Sequence, residues 1–174
     1  MSTHKLLVAA VLLLAAGAAH AESPNLGRPV SESDLKAWDI SVLGDGTGLP
    51  PGSGTPAQGA KVYAEKGCAA CHGEGAKGGR NGPLVGSPPI DRIEAPKTIA
   101  SFWGTATTIF DFTRRAMPWA QPQTLSNDEV YALTAFILEQ NKIIGPNDVI
   151  DARTLPKVKM PNADNFIIRF PDRI

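Results

Sequence analysis

The sequence Cys68-Ala69-Ala70-Cys71-His72 is a C-x-x-C-H pattern, and it contains both cysteines of the 174-residue chain. Two thiols three positions apart can form thioethers with the two vinyl groups of one porphyrin, and the adjacent imidazole can then bind the iron. The pattern therefore predicts one covalently attached haem c. Cys68 and Cys71 would hold it, with His72 as an iron ligand.

A thiol–disulfide oxidoreductase is the alternative interpretation of a C-x-x-C pair. Proteins of that class usually carry the pair in a βαβ unit, and no such pattern surrounds these cysteines. His72 is also the one histidine outside the first 21 residues, and it stands where haem ligation requires it. We therefore favour the haem.

Residues 1–21 have the features of a cleaved secretory signal peptide. His4 and Lys5 form its basic end, residues 6–18 form an apolar run, and Ala19-His20-Ala21 is an A-x-A cleavage site. The apolar run is shorter than the ~20 residues that a membrane span needs, so an uncleaved anchor is the weaker alternative. The sequence predicts a periplasmic protein that does not span the membrane.

The composition is that of a globular protein, with 43% hydrophobic and 20% charged residues. The 17 lysines and arginines balance 17 aspartates and glutamates, and this balance predicts no nucleic-acid partner.

Three segments follow the predicted signal peptide. Residues 22–54 are interrupted by glycine and proline and are predicted to form an extended arm with one short helix after Ser31. Residues 55–145 are predicted to form a helical domain, and residues 146–174 an extended tail. The apolar run 166–170 is expected in a groove of the core or on a partner.

Hydrophobic spacing predicts four helices in the domain. They start near Pro56, Thr98, Thr107 and Asn127. The best-defined helix is the last one, because Ser126-Asn127-Asp128-Glu129 is a capping box. The first and last helices, with Tyr63 and Phe136, are expected to pack across each other, and Gly59 is expected to permit their close approach.

Two further predictions concern the packing of the third helix and of Trp38. The third helix is expected to bury Ile109, Phe112 and Ala116 on one face. Trp38 is expected to pack on the haem or the core surface, because a large aromatic side chain is usually buried by its own chain. Contact with a partner is the alternative for Trp38.

Two methionines are candidates for the second axial ligand, since His4 and His20 lie in the predicted signal peptide. Met117 stands between the C-x-x-C-H pattern and the long capped helix, where a loop can cross the far face of the porphyrin. Met160 follows that helix. Position favours Met117, with Met160 or an open iron as alternatives. Histidine and methionine together leave no site for a substrate, which predicts electron transfer without catalysis.

Further residues are candidates for contacts with the haem or its ligands. The Pro83 carbonyl is the candidate acceptor for the second ring nitrogen of His72, and a plain surface turn is the alternative. Arg115 and Trp103 are candidates for hydrogen bonds to the propionates. The same role is open to Arg80, Arg114 and Trp119. A solvated helix end is the alternative for the two adjacent arginines.

The order of helix, C-x-x-C-H, Gly82-Pro83-Leu84, Met117-Pro118 and capped C-terminal helix resembles class I cytochromes c over residues 55–145. The resemblance implies an all-α fold around one haem. It also implies that the Pro83 carbonyl accepts from His72.

Longer strings are similar to the cytochrome subunits and electron acceptors of periplasmic sulfite and sulfane dehydrogenases, including the SoxD-like group. They are Trp38-Asp39-Ile40, 46–54, Arg115-Ala116-Met117-Pro118, 128–135 and Lys159-Met160-Pro161-Asn162. This similarity implies Met117 as axial ligand and electrons accepted from a molybdenum enzyme that oxidises sulfite or a related sulfur species. The chain has no further cysteine to bind molybdenum, so it would carry electrons and not perform the oxidation.

We therefore expect a monohaem carrier that docks transiently on a sulfite dehydrogenase and passes electrons to another cytochrome or a terminal oxidase. A permanent haem subunit of a sulfur-oxidising complex is the first alternative, with the proline-rich arms as its interface. A haem enzyme or sensor with an open sixth position is the second.

Overall fold

The computed structural model describes residues 26–36, 38–86, 90, 92 and 94–166. The chain divides into two compact units, residues 1–37 and residues 38–174. The described part of the first unit contains helix α1, Glu32–Lys36, which follows Ser31 as predicted. The predicted signal peptide lies outside the described residues.

Helices dominate the second unit, so the predicted all-α class is confirmed. They are α2 (Pro56–Glu65), α3 (Ala69–His72), α4 (Ile99–Phe102), α5 (Thr107–Ala116) and α6 (Asn127–Gln140). Short 3-10 turns are Glu74–Ala76, Leu155–Lys157 and Ala163–Asn165. Two strands of two residues each, β1 (Ser53–Gly54) and β2 (Ile150–Asp151), form an antiparallel pair that the sequence analysis did not predict.

Local sequence signals account for the starts of the two longest packed helices. The Ser126 hydroxyl accepts the Glu129 N–H at 3.3 Å, and the Glu129 carboxylate accepts the Ser126 N–H at 2.8 Å. Thr55 and Gln58 form the same reciprocal capping box in front of α2, where Pro56 occupies the first helical position. Both predicted helix starts are confirmed.

Helices α2 and α6 pack directly on each other. A Cβ placed on Gly59 would collide with the backbone of Ala132, so only a glycine allows this approach. The rings of Tyr63 and Phe136 lie beside the crossing, with centroids 5.1 Å apart. The predicted contact between the first and last helices is therefore confirmed.

Helix α6 forms the centre of the core. Every residue from Val130 to Leu138 is buried, because α2, α5 and both strands surround the helix. Helix α5 packs on it through Ile109 and through Phe110, whose ring lies 4.4 Å from that of Tyr131. The predicted face of α5 was partly wrong, since Phe112 is 47% exposed and Phe110 is buried.

The segments on either side of the helices pack against them. The Val42 N–H donates to the Asp111 carboxylate at 2.9 Å, and Ser53 pairs with Asp151 across the small sheet. Leu155 and Met160 are fully buried. Apolar residues of the segments before residue 55 and after residue 145 thus pack on the helices and complete the core.

Trp38 does not pack as predicted, since it is 82% exposed. Phe166, which begins the predicted apolar run, is half exposed and contacts the Phe102 ring at 6.3 Å. Residues 167–170 of that run lie outside the described residues. Within the described ranges, no helix combines the length and apolar character that a membrane crossing requires.

Candidate haem site

A cleft of about 670 Å³, including its open mouth, brings the predicted ligands together. Cys68, Cys71, His72 and Met117 all line it. Its remaining walls are mainly apolar and include Tyr63, Leu84, Leu125, Leu133 and Ile137.

The C-x-x-C-H pattern occupies one short helical turn. The N–H groups of Cys71 and His72 donate to the Cys68 carbonyl at 3.2 and 3.0 Å. Residues three and four positions apart lie on one helix face, so both thiols and the imidazole are directed to the same side. That arrangement is the one that attachment to a single porphyrin requires.

The loop after the pattern folds back over it and fixes its orientation. The Gly78 N–H donates to the His72 carbonyl at 3.2 Å, and the Asn81 N–H donates to the Cys71 carbonyl at 3.1 Å. A Cβ on Gly79 would collide with the Cys71 carbonyl, and Gly79 has a φ of +95°. Glycine is therefore required at this point of the loop.

The His72 ring has one buried nitrogen. Nδ1 is buried and has no hydrogen-bond partner among the described residues. A second cleft, of about 740 Å³, is lined by His72, Pro83 and Met117 together. The predicted hydrogen bond from Nδ1 to the Pro83 carbonyl is not formed in this structure, although the two residues share the cleft wall. That bond remains a prediction for the haem-loaded protein.

The structure separates the two candidate methionines. Met117 lies just after α5, where its extended backbone ends the helix before Pro118, and it lines both clefts that contain His72. Met160 is fully buried and lines neither cleft. Met160 therefore packs in the core, and Met117 is the methionine that shares a cavity with His72.

The Cys68 thiol does not have the environment of a reactive cysteine. Both cysteines are free in the structure. Burial raises the pKa of the Cys68 thiol, whereas reactive C-x-x-C cysteines have a lowered pKa that favours the thiolate. This environment counts against the oxidoreductase alternative.

Of the two main residues proposed to bind the propionates, one lines a cleft together with His72 and the other does not. Trp103 lines the second cleft and packs on Phe112, with ring centroids 5.8 Å apart. Arg115 lines neither cleft, because its guanidinium pairs with the Asp111 carboxylate one helical turn earlier and reaches Ser41. The structure therefore does not bring Arg115 to the site as predicted.

The other three candidates also differ in position. Arg80 lies 3.5 Å from the Cys71 sulfur through its Nη2. Arg114 donates to the Ile40 carbonyl at 3.4 Å and lines neither cleft. Trp119 lines the mouth of the first cleft and is 82% exposed.

Thr113 and Leu125 are among the lining residues that the sequence analysis did not identify. Thr113 lines both clefts and stands one helical turn before Met117, so the i, i+4 spacing could have indicated it. Leu125 lines the first cleft from the loop before α6, and no local signal marks it.

The residues present fit a covalent haem c. Two thiols on one helical turn, an imidazole and a thioether converge on one mainly apolar cleft. A metal-bound histidine normally donates its other ring N–H to a protein acceptor, and the buried Nδ1 of His72 has no partner among the described residues, so it is free to make such a bond. Cys68 and Cys71 would hold the porphyrin, and His72 and Met117 would face its iron.

Both tyrosines of the chain are expected to lose their phenolic proton at a higher pH than a tyrosine in an unfolded chain. Tyr63 donates to the Gly73 carbonyl and Tyr131 to the Pro50 carbonyl, each at 2.8 Å, and burial raises the pKa of both to about 12. In the unfolded chain the value is about 10. The folded state holds these protons more tightly, so stability should fall as the pH rises from about 10 to 12.

The measurement is an absorbance titration of tyrosinate in the folded protein and in denaturant. We expect the two midpoints to differ by about two units. A folded protein whose tyrosines titrate near pH 10 would contradict the burial of these hydroxyl groups.

Comparison with known proteins gives two matches. The family model of cytochrome c oxidase, cbb3-type, subunit III, matches residues 54–137, which include the C-x-x-C-H pattern and Met117 but not Met160. A chain in the crystal structure of the sulfane dehydrogenase SoxCD from Paracoccus pantotrophus is 38% identical, with a TM-score of 0.74. That match covers 86% of this chain and 73% of the other. No curated protein matches the sequence.

Proposed function

The chain belongs to the c-type cytochromes, and from that premise we propose that it is a periplasmic monohaem electron carrier, which accepts electrons from a molybdenum-dependent sulfite dehydrogenase. The main observation that supports electron transfer is that one cleft is lined by Cys68, Cys71, His72 and Met117. Another cytochrome or a terminal oxidase would take the electrons onward.

The residues of the cleft suit an electron carrier better than an enzyme. When bound, a haem supplies a one-electron redox centre. Cys68 and Cys71 would attach it to the chain, and His72 and Met117 would both bind its iron, which would leave no iron site for a substrate. Leu133 and Ile137, both buried, exclude water from the wall of the cleft. Exclusion of water and thioether ligation both favour the reduced state.

The choice of a sulfur-oxidising partner is supported by the match to a chain of sulfane dehydrogenase SoxCD. A haem protein without a catalytic site can contribute to such chemistry only by removing electrons from the enzyme that performs it. Contacts of this kind are small, often below ~1,200 Å² in total, so the complex would be transient.

A kinetic experiment tests this partner. The oxidised, haem-loaded protein is mixed with purified molybdenum sulfite dehydrogenase and sulfite, and its reduction is followed by absorbance. We expect reduction that saturates with cytochrome concentration and is absent when either enzyme or sulfite is omitted. A cytochrome that stays oxidised in the complete mixture would rule out sulfite dehydrogenase as the donor.

A permanent haem subunit of a sulfane dehydrogenase complex is the second candidate. The same match favours it, because the similarity extends over 86% of this chain and therefore beyond the haem domain. Purification from the native source at low and high salt separates the two candidates. A permanent subunit would elute with a larger partner under both conditions, whereas a transient carrier would elute alone at high salt.

The exposed Trp119 is expected to contribute to partner docking. Its side chain is 82% exposed at the mouth of the cleft, and truncation of a tryptophan at the centre of an interface typically costs more than ~1 kcal/mol. We expect Trp119→Ala to lower kcat/KM for reduction by the dehydrogenase by about five- to tenfold. Its midpoint potential should change little.

Trp38→Ala is the matched control, because Trp38 has the same 82% exposure but does not line either cleft that contains His72. We expect it to be reduced at the rate of the unmodified protein. If Trp38→Ala alone were reduced more slowly, the docking surface would include Trp38 and not the mouth of the cleft.

A further inference from the structure

Asn141 follows the last residue of α6 and uses both ends of its side-chain amide. Its Nδ2 donates to the Ile137 carbonyl at 2.8 Å and to the Leu84 carbonyl at 3.0 Å, and its Oδ1 accepts the Gly86 N–H at 3.1 Å. The bond to Ile137 is local to the helix end, where the same carbonyl also accepts the Asn141 backbone N–H at 3.2 Å. The other two bonds reach a loop 55 and 57 residues earlier in the chain, so a capping role does not account for them.

The same loop is held on its other side by Ala76. The carbonyl of this fully buried residue accepts the N–H groups of Leu84 at 2.8 Å and Val85 at 3.1 Å. Leu84 therefore has its N–H fixed by Ala76 and its carbonyl fixed by Asn141. Its backbone cannot rotate without breaking one of these bonds.

The Leu84 N–H shares a planar peptide group with the Pro83 carbonyl. In a trans peptide these two groups point in opposite directions, so the bond from Leu84 to Ala76 also sets the direction of the Pro83 carbonyl. Pro83 and Leu84 line one cleft with His72, whose Nδ1 is buried without a partner among the described residues. The orientation of this peptide thus sets the direction of the carbonyl that is the predicted acceptor for His72.

We propose that Asn141 is a positioning residue for the iron ligand His72: its amide holds the loop at Leu84 and Gly86, and so keeps the Pro83 carbonyl available to Nδ1. The inference rests on the proposed function, because it concerns the haem-loaded protein. It gives Asn141, which is distant in sequence from the C-x-x-C-H pattern, a part in setting the reduction potential.

The electronic consequence has a definite sign. A hydrogen bond from Nδ1–H to a carbonyl makes the imidazole a stronger donor toward the metal. Stronger donation favours the oxidised iron. Loss of the Asn141 bonds should loosen the Pro83 peptide and weaken the hydrogen bond, so the midpoint potential should rise and the Nδ1 proton should exchange faster with solvent.

The experiment compares Asn141→Ala with Asn127→Ala in the haem-loaded full chain. Asn127 is a matched control, since it lies in the first turn of the same helix and donates through Nδ2 to the carbonyl of a distant residue, Pro51, at 3.2 Å. It lines neither cleft that contains His72. The readouts are the midpoint potential and the solvent exchange of the His72 Nδ1 proton, measured by NMR in the reduced state.

We expect Asn141→Ala to raise the potential and to accelerate this exchange by on the order of tenfold, while Asn127→Ala changes neither. Should Asn141→Ala fail to accumulate, Asn141→Leu removes all three bonds at a larger side-chain volume and should give the same two shifts. Unchanged values, or equal shifts in the Asn127 variant, would overturn the role of Asn141. That result would leave the proposed function intact, whereas an unmodified protein that matures without haem would overturn both.

Discussion

Replacement of Met117 by alanine is expected to open the sixth coordination position of the haem. Met117 is the methionine that lines both clefts with His72, so we expect its loss to remove the proposed sulfur ligand. The reduced variant should then bind carbon monoxide without denaturant, which the unmodified protein should not. Because a thioether ligand raises the potential, we expect the midpoint to fall by on the order of 0.2 V, part of the roughly 0.8 V that axial ligands span.

Met160→Leu is the control for this experiment. Met160 is fully buried and lines neither cleft, and a volume-conserving exchange in a core usually costs less than ~1.5 kcal/mol. Its spectrum and potential should match those of the unmodified protein. Carbon monoxide binding by Met160→Leu, with Met117→Ala unaffected, would reverse the assignment of the ligand. Binding by the unmodified protein would favour the enzyme or sensor alternative.

Gly59→Ala is expected to destabilise the protein, although alanine is the better helix former by ~1 kcal/mol. A Cβ at this position would collide with the Ala132 backbone and lie 2.6 Å from the Phe136 Cβ, so α2 and α6 would have to separate. Overpacking of this kind usually costs ~1–3 kcal/mol, and we expect a loss of at least about 2 kcal/mol. The measurement is the free energy of unfolding in denaturant.

Gly78→Ala serves as the comparison, because a Cβ on Gly78 would meet no atom within 4 Å and its φ is not in the left-handed region. We expect a change within about 0.5 kcal/mol. If Gly59→Ala proved as stable as Gly78→Ala, the close contact between the two helices would be wrong.

The chemistry of the site was predictable because its main groups are neighbours in sequence. Cys68, Cys71 and His72 form one helical turn, so their spacing alone aligns them for one porphyrin. The capping box at Ser126 was predictable for the same reason, since it joins residues three positions apart, and the structure shows a second box with the same spacing at Thr55.

Predictions that depended on distant contacts were less successful. Arg115 was a candidate for the propionates, but Asp111 lies one turn earlier on its helix and takes its guanidinium. Trp38 was expected to pack and is exposed. In the segment after α6, which was predicted to be extended, Ile150, Leu155 and Met160 are among the most buried side chains. Composition indicates where a segment lacks long helices, but it does not show which part of the core that segment packs against.

The sequence by itself determined the haem motif, the helix starts and the choice of two methionines, because short-range hydrogen bonding and covalent spacing act within a few residues. Only the tertiary structure decided that Met117 meets His72 while Met160 fills the core, and that Asn141 reaches the loop beside Pro83. These relations join residues some 40 to 60 positions apart, and they exist because α2, α5 and α6 exclude water from one shared core.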